Sequence, residues 1–175
     1  MIVFQIVGYS DAGKTTVTAE LLAALAAKNY QTATVKHHGH GKSLPDPDYN
    51  KDTWKHRQAG AEASLAVTET GYQLTAANSR AFPLEKWLEI YKLLEIDVVL
   101  IEGFKYADYP KVLLVRQTDD SKRLLTELTN VRAVLYASEE SGDSIKTNFN
   151  GYAGSSFNTA GFINWFFQEY IAEGD

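Results

Sequence analysis

One short loop in this sequence carries residues that could hold a polyphosphate. Gly8, Gly13, Lys14 and Thr15 of "GYSDAGKTT" fit the pattern G-x-x-x-x-G-K-[ST]. Glycines let the backbone bring successive N–H groups round an anion. Lys14 would reach the terminal phosphates as a point charge, and the Thr15 hydroxyl would ligate Mg²⁺. Thr16 sits at the same helix start and could donate to a phosphate nearer the sugar. A Gly-rich turn that merely precedes a helix is the plain alternative. Context argues against it, because the apolar run "MIVFQIV" precedes the loop and an amphipathic helix follows.

Further polar residues stand at the ends of other apolar runs. "DVVLIEGF" ends in Glu102, where phosphate-handling enzymes need a carboxylate to hold the Mg²⁺ shell or orient a water. Its plain reading is a solvated strand-end acid. Gly103 would let the backbone turn close to a nucleotide, and Lys105 faces phosphate or water. "KHHGHG" places Lys36, His37, His38 and His40 after a second strand. Cysteine is absent, and His37 and His38 would point to opposite faces if the strand continued. A polar or anion-binding role therefore ranks above a transition-metal site. "PDPDYNKDTWKHRQAGA" offers Asp46, Asp48 and Asp52, any of which could approach Mg²⁺ or an attacking water. A capped helix with a charged outer face is the alternative there, preferred for Lys55 but less for Asp52 and Arg57.

The elements that would position these groups alternate along the chain. Ile2–Val7 reads as a buried strand and Thr15–Lys28 as a helix with Val17, Leu21 and Leu25 inward, Leu22 beside them. "QTATVKHH" reads as a strand, and a short helix over Asp52–Gly60 takes Asp52 or Thr53 as its cap. "ASLAVTE" and "GYQLTAAN" are two strands joined by a turn at Thr70–Gly71. Leu84, Trp87, Leu88, Tyr91 and Leu94 mark an amphipathic helix. "DVVLIE" is too uniformly apolar to face water and belongs in the centre of a parallel sheet. "KVLLVR" and "RAVLYAS" are strands with a short helix near Ser121–Leu128 between them. "SEESGDSIKTNFNGYAGSS" is polar enough to predict a long mobile loop. A closing helix from about Asn158 spaces Phe162, Phe166 and Tyr170 four apart. The class is α/β: a P-loop NTPase-like, doubly wound, largely parallel sheet with helices on both faces. Ligands bind at the carboxyl ends of such strands, where Gly8, His37, Glu102 and Arg116 would emerge.

Composition narrows the function. A length of 175 residues is most simply one domain, 1–175. The net charge of −5 argues against nonspecific nucleic-acid binding. The lack of cysteine removes thiol catalysis, disulfides and Cys-based zinc sites, in keeping with the cytoplasm. "LLAALAA" is too short to span a bilayer, and the first strand lacks the features of a signal peptide.

In combination, "GYSDAGKTT", "VKHHGHG", "KDTWKHRQAGA" and above all "DVVLIEGFKYADYPKVLLVR" resemble the molybdopterin-guanine dinucleotide biosynthesis protein B (MobB) family. The resemblance runs from Ile2 to Arg116 and beyond that is one of architecture only. It implies a cytoplasmic, homodimeric GTP-binding accessory with weak GTPase activity. Its partner would be the guanylyltransferase that joins GMP to molybdopterin, with molybdopterin itself a further candidate ligand. Carried over by motif, Gly8, Tyr9, Ser10, Asp11, Ala12, Gly13, Lys14, Thr15 and Thr16 would bind phosphate. Thr15, Asp52 and Glu102 would surround Mg²⁺, with Lys14 and Glu102 as the catalytic pair. Lys36, His37, Thr53, Arg57, Gly60, Ala61, Gly103 and Lys105 would line the site.

Guanine itself is not legible. The nearest string to N-K-x-D, Asn50 to Thr53, has Thr where Asp is needed and comes too early. Ser138, Glu139 and Asp143 are candidates to face the base, but no pattern selects one. The rival activity is a P-loop small-molecule kinase, which needs arginines closing over the transferring phosphoryl group. Arg57, Arg80, Arg116, Arg123 and Arg132 are scattered, with no lid-like cluster. A nucleic-acid-handling ATPase ranks third because of the acidic balance.

Overall fold

The computed structural model describes residues 1–38, 44–76, 82–116 and 118–171, with backbone alone at 118–122, 139–141, 144 and 148. In chain order the elements are β1 (Ile2–Gly8), α1 (Lys14–Ala26), β2 (Thr32–Lys36), α2 (Asp52–Gln58), β3 (Ala63–Thr68), β4 (Gly71–Ala76) and α3 (Leu84–Leu93). They continue with β5 (Val98–Glu102), β6 (Lys111–Val115), α4 (Thr118–Glu127), β7 (Val131–Tyr136), α5 (Glu139–Asn148), β8 (Tyr152–Ser155) and α6 (Ala160–Tyr170). The chain divides into two compact units, Met1–His38 with Leu88–Asp175, and Gly39–Trp87.

The first unit is built on a six-stranded sheet in the order β2-β5-β1-β6-β7-β8, and every pairing is parallel. Such a sheet must be covered on both faces, which is why its inner strands are apolar throughout rather than alternating. Phe4, Ile6, Leu100, Val112 and Leu114 pack on one face against Val17, Leu21 and Leu25 of α1 and Phe162 and Phe166 of α6. Val7, Leu113, Val115, Val134 and Tyr136 pack on the other against Leu124 of α4 and Ile145 of α5. Because all strands run one way, Gly8, Lys36, Glu102 and Val115 end at the same edge.

The second unit contains α2 and the antiparallel pair β3–β4. Leu65 faces Leu74 and Val67 faces Tyr72 across that pair, so all four lie on one face, and all four are exposed.

Several sequence expectations are corrected. The stretch read as a long mobile loop instead forms α5 and β8. Few apolar residues sufficed, because Ile145 is buried against the sheet and β8 pairs in parallel with β7. Trp87 and Leu94, placed inward on the α3 stripe, are 37% and 41% exposed, whereas Leu84 and Leu88 are buried. The N-cap of α2 is Lys51, ahead of the expected Asp52 or Thr53, and Asp52 instead supplies negative charge to the first turn. The β3–β4 turn falls on Glu69–Thr70, with Gly71 already paired to Thr68.

Candidate phosphate-binding site

The site grows from the junction of β1 and α1. At Gly8 the backbone passes so close to β6 that an added Cβ would stand 2.7 Å from the Leu114 carbonyl oxygen. No side chain fits there, so the glycine is dictated by strand packing as well as by the turn. α1 starts at Lys14 behind Gly13, with no side-chain cap on its first N–H groups. Those amides are left for a ligand, at the positive end of the helix dipole.

Around this loop lies an open cavity of about 420 Å³, lined by Ser10, Asp11, Gly13, Lys14, Thr15, Thr16, Lys36 and Glu102. The structure thus brings together the predicted loop and the ends of β2 and β5. Lys14 Nζ donates to the Tyr9 carbonyl at 2.6 Å. Burial lowers the Lys14 pKa; Glu102 opposes that shift, Lys105 and Lys36 reinforce it, and Asp11 opposes it. Lys36 pairs with Glu102 at 3.0 Å. Lys105 lies 4.4 Å from the centre of the Tyr9 ring, a cation–π contact. Lys36 and Lys105 repel the Lys14 ammonium, and an anion in the loop would relieve that repulsion.

Thr15 Oγ1 lies 3.3 and 3.4 Å from the two Glu102 carboxylate oxygens, long for an O–H···O bond. A hydroxyl and a carboxylate held loosely apart form a pair of oxygen donors suited to a hard cation. No group of three or more His, Cys, Asp or Glu that could hold a metal exists among the described residues.

Behind Glu102 the chain turns sharply. Gly103 and Phe104 both have left-handed φ, 98° and 49°. A Cβ at Gly103 would come within 2.9 Å of His37 Cβ. His37 N–H donates to the Glu102 carbonyl at 2.9 Å, and its ring centre lies 4.6 Å from that of Phe104. β2 has ended at Lys36, so His37 and His38 are not placed by strand alternation. His40 lies outside the described residues. Arg116 donates to the Asp11 carbonyl at 3.2 Å, placing that arginine beside the loop as its strand predicts.

Asp46, Asp48, Asp52, Thr53, Arg57, Gly60 and Ala61 belong to the second unit. There Arg57 grips Asp48 with both terminal nitrogens, at 2.8 and 2.6 Å, and reaches Asp46 at 2.6 Å. It also donates to the Thr53 carbonyl and to Ser64 Oγ. Thr53 Oγ1 donates to Asp48 as well. The hydrogen bonds from Arg57 and Thr53 hold the Asp48 carboxyl far below the ordinary carboxylate range, against the opposing effect of burial. Asp52 is 87% exposed at its side chain and pairs with Lys55 at 3.3 Å, on the charged outer face expected for Lys55 but less for Asp52. Ser138 follows β7 and Asp143 lies in α5, as does Glu139, whose side chain is outside the description.

Sequence reasoning passed over Gln5, which is fully buried and donates to the Gly103 and Phe104 carbonyls at 3.0 and 2.9 Å. The available signal was a lone amide inside an otherwise apolar strand, which one-face periodicity cannot explain.

A parallel sheet with a glycine-rich loop leading into α1 at its carboxyl edge defines an α/β protein of P-loop NTPase-like topology. The comparisons narrow that class. Residues 3–137 match the family model for molybdopterin guanine dinucleotide synthesis protein B, MobB, and the chain belongs to that family. The match continues past Arg116, where the sequence motifs faded, and ends just after β7. The chain is 35% identical over 138 residues to a probable molybdopterin-guanine dinucleotide biosynthesis adapter protein of Bacillus subtilis (strain 168), covering 79% of this chain and 78% of that one. Its fold matches a crystal structure of Bacillus subtilis MobB with a TM-score of 0.82 at 27% identity, over 99% of this chain and 100% of that one. A MobB homologue from Bacillus stearothermophilus matches with a TM-score of 0.75 at 28% identity, over 99% and 100%.

Proposed function

We propose that this protein is a GTP-binding adapter in molybdopterin guanine dinucleotide biosynthesis. It assists the guanylyltransferase and hydrolyses GTP slowly. The observation that carries this reading is the convergence of Lys14, Lys36, Thr15 and Glu102 on one phosphate loop, in a chain of the MobB family. Guanine specificity and the transferase partner rest on family membership, since the B. subtilis relative bears the name of an adapter in that pathway.

In this reading the loop amides and Lys14 bind the β- and γ-phosphates, and Lys36 and Lys105 add charge on the terminal side. Mg²⁺, when bound, would neutralise charge on the phosphate oxygens, with Thr15 and Glu102 as its protein ligands. Lys36 holds the Glu102 carboxylate until the cation competes for it. Hydrolysis is slow because the described arginines are bound to other groups. Arg57 is saturated by aspartates, Arg123 pairs with Glu127, Arg132 donates to Asn130, and Arg116, although beside the loop, donates to the Asp11 carbonyl. Without an arginine on the transferring phosphoryl group, a rate advantage on the order of a thousandfold or more is forgone. The exposed apolar face of β3–β4 supports homodimerisation, since an isolated two-stranded sheet is marginal in water without a cover.

The test is a set of dissociation constants for GTP, ATP and their diphosphates with Mg²⁺, followed by a pull-down and rate assay with the transferase. Tight GTP binding, slow turnover and nucleotide-dependent association are expected. Fast turnover with a small-molecule acceptor would establish the kinase instead, and absence of nucleotide binding would remove both.

A further inference from the structure

Two fully buried polar side chains, Gln5 and Lys111, lie outside the cavity and belong to no function described above. They are register partners on β1 and β6, so both leave the sheet on one face. Glu102 pairs with Ile6, the next residue of β1, and therefore projects from the opposite face. Gln5 and Lys111 thus act from the far side of the sheet.

Both are aimed at the segment that follows Glu102. The Gln5 amide gives its two donor bonds to the Gly103 and Phe104 carbonyls, at 3.0 and 2.9 Å. Its oxygen is left without a donor among the described residues, a cost that packing alone would have avoided with an apolar side chain. Lys111 Nζ donates to the Ala107 carbonyl at 2.8 Å and to the Thr129 carbonyl at 2.7 Å. Burial lowers its pKa and the Asp108 charge opposes this, but no carboxylate comes within ion-pair distance among the described residues. A buried ammonium held only by carbonyls is an expensive way to stabilise a core. It is an effective way to dictate where those carbonyls point.

The segment so held is the one on which the site leans. Gly103 leaves room for His37, the Phe104 ring lies against the His37 ring, and His37 N–H bonds the Glu102 carbonyl. Lys36, next to His37, reaches the Glu102 carboxylate. We propose that Gln5 and Lys111 are positioning residues. They fix the backbone of 103–107 and, through His37 and Phe104, set Lys36 and Glu102 to receive a magnesium-bound polyphosphate. The inference rests on the phosphate-site reading above for its ligand, but not for its mechanical part.

The test replaces each residue by methionine, which keeps bulk and removes the donors. In the wild-type protein the His37 ring protons should be shifted by the Phe104 ring current in NMR spectra. In Gln5→Met, with the fold verified by circular dichroism, that shift should collapse toward the value of an exposed histidine. Inorganic tripolyphosphate is the binding probe. Its affinity without Mg²⁺, carried mainly by the loop amides and Lys14, should fall less than the gain on adding Mg²⁺, which should drop about tenfold. Lys111→Met should act in the same direction; if it fails to fold, Gln5→Met decides alone. An unmoved His37 signal with a wild-type Mg²⁺ gain would overturn the proposal, as would a lower melting temperature as the only change. If wild-type protein binds no tripolyphosphate at all, the phosphate-site reading fails, and the His37 signal still decides whether the far-side residues hold the segment.

Discussion

Glu102 and Asp48 are both carboxylates beside a cation, and their surroundings are opposite. Asp48 receives a two-pronged grip from Arg57 and a further bond from Thr53, with every contact short. Glu102 has one lysine at 3.0 Å and a hydroxyl hovering at 3.3 to 3.4 Å, beside an open cavity. The first cluster is saturated, with two carboxylates sharing one guanidinium. The second is loose and carries more positive groups than negative ones. Saturation marks a clamp that defines a local structure, whereas unspent donors and excess charge mark a place built to receive something.

The comparison breaks most visibly if Lys14 is removed. Lys14→Ala should weaken triphosphate binding by about a hundredfold, since it deletes a charge-assisted contact and leaves the core untouched. Calorimetric titration checks this, with thermal melting expected to stay near wild type. Retained affinity would mean the cavity is not the receiving site.

Glu102→Gln sharpens the same contrast. The amide keeps the shape but loses the charge that balances Lys36, so Mg²⁺-dependent hydrolysis should fall by more than the roughly tenfold loss expected in Mg²⁺-dependent binding. Single-turnover rates set against dissociation constants separate the two. Equal losses in both would place Glu102 in ground-state grip alone.

Disturbing the clamp should give the smallest functional signal and a clear structural one. Arg57→Met leaves Asp48 and Asp46 facing each other without a cation, so the segment around α2 and β3 should become the first site of limited proteolysis. The acid side follows from the sign of the Asp48 shift. Its folded pKa is depressed, so its contribution is present above the unfolded value of about 3.9 and is lost only as pH falls through the folded value. The segment should therefore resist proteolysis through the ordinary carboxylate range, and Arg57→Met should forfeit that resistance.

How far this was legible in sequence depended on whether chemistry or context made each element. The loop from Gly8 to Thr16 and the strand ending in Glu102 declare themselves by residue type and by an apolar run with no polar face. The helix α5 and strand β8 do not, because their stretch is polar and only Ile145 and the sheet behind it supply the reason to fold. Trp87 fits a helical stripe yet stays exposed, since periodicity reports a face and not what covers it. The tie from Arg57 to Asp48 spans nine residues and left no pattern to follow. Gln5 was visible as an oddity, but its purpose lies in carbonyls nearly a hundred positions later.

That separation has a consequence during synthesis. The strand bearing the phosphate loop pairs Ile2 with Val98 and Gln5 with Lys111, and so has no sheet neighbour until β5 is made and only one until β6 follows. At about 5–20 residues per second, a ribosome leaves β1 without a partner for on the order of ten seconds. A nascent chain stalled before Val98 exposes an apolar N-terminal segment and has no Glu102 to complete the receiving site. Chaperones that bind extended apolar chain would meet this protein at its first strand, and the site would come into being late and all at once.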